Sequence, residues 1–72
     1  MRHVLLYQDE DGYWIAEVPS LPGCVSDGES IDEALANIDD AISGYIASLQ
    51  KHGDPVPDEP DDMIVIRREQ AV

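Results

Sequence analysis

One stretch of helical periodicity limits what this chain can fold into. Apolar residues recur at Ile31, Ala34, Leu35, Ile38, Ala41, Ile42, Tyr45, Ile46 and Leu49, the i, i+3, i+4, i+7 spacing of a single buried face. The opposite face carries Asp32, Asn37, Asp40 and Ser43. Ser30 and Glu33 form a capping box: the hydroxyl accepts from the amide of Glu33, and the carboxylate reaches back to the amide of Ser30. Asp32 and Glu33 place negative charge in the first turn. Lys51 and His52 place positive charge in the last, and Gly53 supplies a left-handed terminator. From Ser30 to Gln50 this is a helix of ~30 Å, at 1.5 Å per residue. Gly44 inside it costs roughly 1 kcal/mol relative to Ala. It is read either as a close backbone approach or as a tolerated glycine.

The remaining regular structure reads as strand. Residues 2–8 are short, apolar and free of Gly and Pro. Asp9-Glu10-Asp11-Gly12 is a turn, with Gly12 free to take a positive φ. Residues 13–18, rich in aromatic and β-branched types, form a second strand and close an antiparallel hairpin. Pro19-Ser20-Leu21-Pro22-Gly23 interrupts the ladder, because proline cannot donate to it. Cys24-Val25-Ser26-Asp27 is a short third strand, closed by Gly28. After the helix, residues 54–62 form a proline-stiffened connector with five acids and no base. Met63-Ile64-Val65-Ile66 resumes strand composition, Arg67-Arg68 end it, and 69–72 form a frayed tail.

The predicted order is β-β-β-α-β, an α+β domain over residues 1–68. Three strands form an antiparallel meander, and the fourth returns parallel to the first by a right-handed crossover. One helix covers only one face of such a sheet. Alternation along the second strand sends Trp14, Ala16 and Val18 one way and Tyr13, Ile15 and Glu17 the other. Glu17 prefers solvent, so the first set is assigned to the helix side. Tyr13 and Ile15 then remain on a face with no covering layer, which marks a protein contact.

Size and charge point the same way. A chain of 72 residues is one small domain, and a core of this size rarely supplies more than ~3–5 kcal/mol. Cys24 is the single cysteine, so no intramolecular disulfide adds stability, and a reducing, cytoplasmic setting is expected. His3, His52 and Cys24 lack metal-ligand spacing, and no metal or cofactor is expected. Association with itself or with a partner is the remaining common solution. Sixteen acids against four bases give a net charge of −12. That balance argues against nucleic-acid binding through phosphate neutralisation and against docking on an anionic membrane. No apolar run is long enough to span a bilayer. Asp9, Glu10 and Asp11 follow the N-terminal apolar stretch too soon for a signal peptide.

The segment Asp11-Gly12-Tyr13-Trp14-Ile15-Ala16-Glu17-Val18-Pro19-Ser20-Leu21-Pro22-Gly23-Cys24 resembles the "DGYxVAxxPxLPGC" signature of HicB-like antitoxins. The likeness continues through Asp27 to Ala34, a counterpart of that family's "xGxTxEEAxxN" helix start, with Asn37 in place. Ala41-Ile42 and Gly53-Asp54-Pro55-Val56-Pro57 fit its "EAI … GxPIPxP" stretch. The resemblance spans residues 4–66, and it is the order and spacing of the short motifs together that make it specific. It implies a partial RNase H-like fold and a non-catalytic role. Such domains bind and neutralise small basic HicA-type toxins, which cleave mRNA, and they form homodimers or homotetramers. The family often adds a C-terminal DNA-binding module. The present sequence stops at Val72, soon after the last predicted strand, so autorepression by operator binding is not expected of it.

The candidate interface residues are Tyr7, Asp9, Glu10, Asp11, Tyr13, Ile15, Pro22, Gly23 and Cys24. Each also has a plainer role. The three acids are a solvated hairpin turn. Pro22 and Gly23 reverse the chain, and Cys24 is a small core residue. Tyr7 and Tyr13 serve an interface or an ordinary amphipathic surface equally well. Trp14 reads as core, His3 as a strand-edge residue and His52 as a cation at the helix end. Neither histidine is placed for Cys–His chemistry. Besides the antitoxin, two readings remain: an orphan oligomer of the same fold with a structural or regulatory role, and a divergent metal-dependent nuclease.

Overall fold

The computed structural model describes residues 2–56 and 63–67. The connector from residue 57 to 62, Arg68 and the tail at 69–72 lie outside the described residues. Four strands and one helix appear in the expected order: β1 (Arg2–Gln8), β2 (Trp14–Glu17), β3 (Val25–Gly28), α1 (Ile31–Lys51) and β4 (Met63–Arg67). The sheet order is β3-β2-β1-β4. β1 and β2 are antiparallel, as are β2 and β3, and β4 runs parallel to β1.

The helix begins where its cap dictates. Ser30 is extended, and its Oγ accepts from the amide of Glu33 at 3.1 Å. It ends at His52, whose amide donates to Gln50 and Ser48, and Gly53 then turns the chain at φ +72°. Ala34, Ile38 and Ile42 form the fully buried stripe. They meet Val4 and Leu6 of β1, Ala16 of β2, and Val18, Leu21 and Cys24 of the loop beyond it. Trp14, Ala16 and Val18 do face the helix, as the alternation of β2 predicts.

α1 lies closest to β3 and β2. Val65 is aligned with the buried Val4 and therefore points to the helix side, yet it is 40% exposed. Arg67 of β4 partly fills the gap: its guanidinium stands 4.9 Å from the centre of the Trp14 ring, a cation–π contact.

Candidate protein-binding face

Strand register assembles the uncovered face. Tyr7 is opposite Ile15 and Leu5 opposite Glu17. Ile15 is in turn opposite Asp27, and Glu17 opposite Val25. Ile64 and Ile66 of β4 align with His3 and Leu5. Paired residues share a face, so Leu5, Tyr7, Ile15, Val25 and Ile66 form an apolar surface opposite the helix, with no other element over it among the described residues. Val25 is 51% exposed and Ile66 44%. The Tyr7 hydroxyl donates to Glu17 Oε1 across the face, which fixes both side chains.

The acidic hairpin tip adjoins this surface. Asp9 organises it: its Oδ1 accepts from the amides of Asp11 at 3.0 Å and Tyr13 at 2.9 Å. The Asp9 amide donates to the Tyr13 carbonyl at 2.8 Å, and Gln8 Nε2 donates to the Gly12 carbonyl at 3.0 Å. Gly12 adopts φ +89° to close the turn. Glu10 and Asp11 are thereby held outward in solvent, and Tyr13 stands 42% exposed beside them. Asp11, Gly12, Tyr13 and Glu29 line a shallow open notch. Two carboxylates flanking an aromatic ring suit a guanidinium or ammonium group.

Of the nine residues singled out in the sequence, Tyr7, Asp9, Glu10, Asp11, Tyr13 and Ile15 come together on this face and its tip. The other three lie at the opposite end of the sheet, because β2 carries the chain away from the hairpin. There Leu21 donates to the Val18 carbonyl at 3.0 Å and Cys24 to that of Leu21 at 2.9 Å, and Gly23 turns at φ +83°. The Tyr45 hydroxyl donates to the Pro22 carbonyl at 2.9 Å, tying the loop to the helix. Pro22 and Gly23 are exposed, whereas Cys24 is only 4% exposed and belongs to the core. Leu5, Val25, Asp27 and Ile66 join the candidate face only through strand pairing, and Glu29 joins it at the notch beside Asp11 and Tyr13. The period-two alternation of β1, β3 and β4 is the signal for the strand residues, and only the register turns it into a shared face.

Among the described residues, no group of three or more His, Cys, Asp or Glu is placed to hold a metal ion, and no helix is long and apolar enough to cross a membrane. The face offers shape, apolar area and negative charge.

Fold and face together define a small α+β domain whose helix packs on one surface of the sheet and which exposes Val25 and Ile66 on the other. A family model described as the HicB_like antitoxin of bacterial toxin–antitoxin systems matches residues 3–71. The chain belongs to that family. A UPF0150 protein of Thermoplasma acidophilum is 44% identical over 63 residues, covering 88% of this chain and 91% of the relative. A UPF0150 protein of Synechocystis is 47% identical over 62 residues, covering 86% and 76%. Among solved structures, the crystal structure of the N-terminal domain of Burkholderia pseudomallei antitoxin HicB superposes with a TM-score of 0.68 at 32% identity, covering 79% of this chain and 67% of that one.

Proposed function

We propose that this protein is an antitoxin that binds a small, basic, mRNA-cleaving toxin of the HicA type and neutralises it by masking its active site. The protein works by binding, in the cytoplasm where the toxin meets its mRNA, and carries out no catalysis itself. The observation that carries this reading is the uncovered face: Leu5, Tyr7, Ile15, Val25 and Ile66 edged by Asp9, Glu10, Asp11, Glu17 and Asp27. Apolar area supplies the stable contact. The acidic edge, on a chain of net charge −12, steers a cationic partner and repels RNA from the cleft it occupies.

The test is whether a short reading frame for a basic protein adjoins the gene, and co-expression with its product. The neighbouring product alone is expected to arrest growth and degrade mRNA. With this protein present, growth recovers, the two co-purify, and RNA cleavage in vitro stops at stoichiometric addition. A neighbouring product that is harmless, or that never co-purifies, would overturn the reading in favour of an orphan oligomer of the same fold.

A further inference from the structure

We propose that the Asp11–Gly12 bond is a modification site. It rearranges spontaneously to isoaspartate, with water as the only co-reactant, and Asp9 restrains the rate by clasping the turn around it.

The chain contains two Asp–Gly pairs, Asp11–Gly12 and Asp27–Gly28. Glycine after aspartate favours this reaction, because no Cβ shields the glycine nitrogen. That nitrogen attacks Cγ of the protonated Asp11 carboxyl and gives up its proton. A C–N bond forms, a C–O bond breaks, and water leaves a cyclic succinimide. Water then adds to either ring carbonyl. Cleavage between the nitrogen and Cγ returns aspartate. Cleavage between the nitrogen and the main-chain carbonyl carbon routes the chain through Cβ and Cγ, one methylene longer, and leaves the former main-chain carbonyl as a free carboxylate. Mass is unchanged, and nothing is oxidised or reduced.

The fold separates the two pairs. Asp11 and Gly12 are both exposed at the hairpin tip. The Gly12 amide donates to the Asp9 carbonyl at 3.2 Å, the long end of the usual range. No residue from Asp9 to Tyr13 belongs to the core cluster. Bringing the Gly12 nitrogen onto Cγ therefore needs only a local opening of the turn, with no core side chain withdrawn. Gly28 is the reverse case. It is buried, it is paired with Trp14, and it lies against the backbone of Glu33 and Ala34. The Asp27 carbonyl accepts from Asn37 Nδ2 at 2.8 Å. The Gly28 nitrogen reaches Asp27 Cγ only when β3 parts from its neighbours.

Asp9 is the clasp. Its carbonyl occupies the reacting nitrogen, and its Oδ1 holds the amides of Asp11 and Tyr13 on either side. Attack requires rotation about the Asp11 Cα–C bond, and each of these hydrogen bonds opposes it. The added methylene moves Gly12 and Tyr13 away from Asp9, so the tip of the exposed face loses its order once the bond has rearranged. This holds for the chain alone and does not depend on the antitoxin reading.

Ageing of the full chain at neutral pH and physiological temperature tests this. Isoaspartate is labelled by an isoaspartyl methyltransferase and placed by peptide fragmentation. Folded protein is expected to form it at residue 11 at least about tenfold faster than at residue 27. In guanidinium chloride the two rates are expected to converge, since both pairs are then equally free. Asp9→Ala is expected to speed the folded-state reaction at residue 11 about five- to tenfold, through loss of the bonds to Oδ1, with unchanged far-ultraviolet circular dichroism. Asp9→Asn, which keeps an acceptor oxygen, returns the rate toward that of the wild type. Asp11→Glu, whose longer side chain closes a less favoured ring, abolishes the product there. Equal rates at residues 11 and 27 in the folded protein would overturn the proposal. So would no product at residue 11 over the time in which the unfolded chain forms it, or a rate indifferent to Asp9→Ala.

Discussion

Gly28 and Ala34 meet backbone to backbone: a Cβ placed on Gly28 would stand 2.5 Å from the Ala34 nitrogen and 2.9 Å from the carbonyl carbon of Glu33. The end of β3 is thus pressed directly against the first turn of α1. Neither contact atom belongs to a flexible side-chain end, so the helix itself would have to move. Gly28→Ala is expected to destabilise the fold by about 1–3 kcal/mol, the usual cost of overpacking. Urea unfolding followed by circular dichroism measures it. An unchanged midpoint would mean that strand and helix can part without loss.

Gly44 is the opposite case. It is exposed on the helix, and a Cβ there would meet nothing within 4 Å. The alternative of a close approach is therefore removed, and what remains is the entropic cost of glycine in a helix. Gly44→Ala is expected to stabilise the protein by up to about 1 kcal/mol. In a domain of this size that is a rise of about 4–8 °C in thermal midpoint, readable in a single melt.

These two glycines show what the sequence carried and what it did not. Periodicity and caps are local, and they were legible: the helix, its Ser30 cap, the Gly12 turn and the facing of Trp14, Ala16 and Val18 could all be read from spacing. Gly28 reads as a closing turn residue until the helix is packed on it, because its constraint comes from Ala34, six residues away and in another element. Arg67 reads as the end of a strand until the parallel register of β4 on β1 brings it over Trp14. Pro22, Gly23 and Cys24 stand beside the acidic residues as interface candidates in the sequence, whereas β2 carries them to the far end of the sheet. Pairwise facts that depend on register or crossover are not written in any one segment.

Ser30 anchors the helix at the end nearest the hairpin notch. Its Oγ accepts from the amide of Glu33, one of the helix donors that lacks an intrahelical acceptor. Ser30→Ala is expected to cost about 1 kcal/mol. Hydrogen exchange is expected to quicken first in the amides of the initial turn, and Ser30→Asp to restore most of the loss. Uniformly quicker exchange along the whole helix would point instead to a packing role for Ser30.

The antitoxin reading makes its sharpest demand at Tyr13 and Ile15. Tyr13 is exposed and Ile15 half-buried on the uncovered face, and neither belongs to the core cluster. Tyr13→Glu and Ile15→Glu are therefore expected to leave the fold intact while abolishing neutralisation of the toxin, because a carboxylate would be desolvated in the contact. Charge reversal of Glu10 and Asp11 acts differently. These side chains are held outward in solvent at the hairpin tip, so their loss is expected to slow association and flatten its salt dependence, with little effect on dissociation. Surface-based kinetics at two ionic strengths separates the classes. Tyr13→Glu and Ile15→Glu raise the dissociation rate at either salt, while the Glu10 and Asp11 reversals lower the association rate chiefly at low salt. Full neutralisation by both Tyr13→Glu and Ile15→Glu would move the toxin contact off this face.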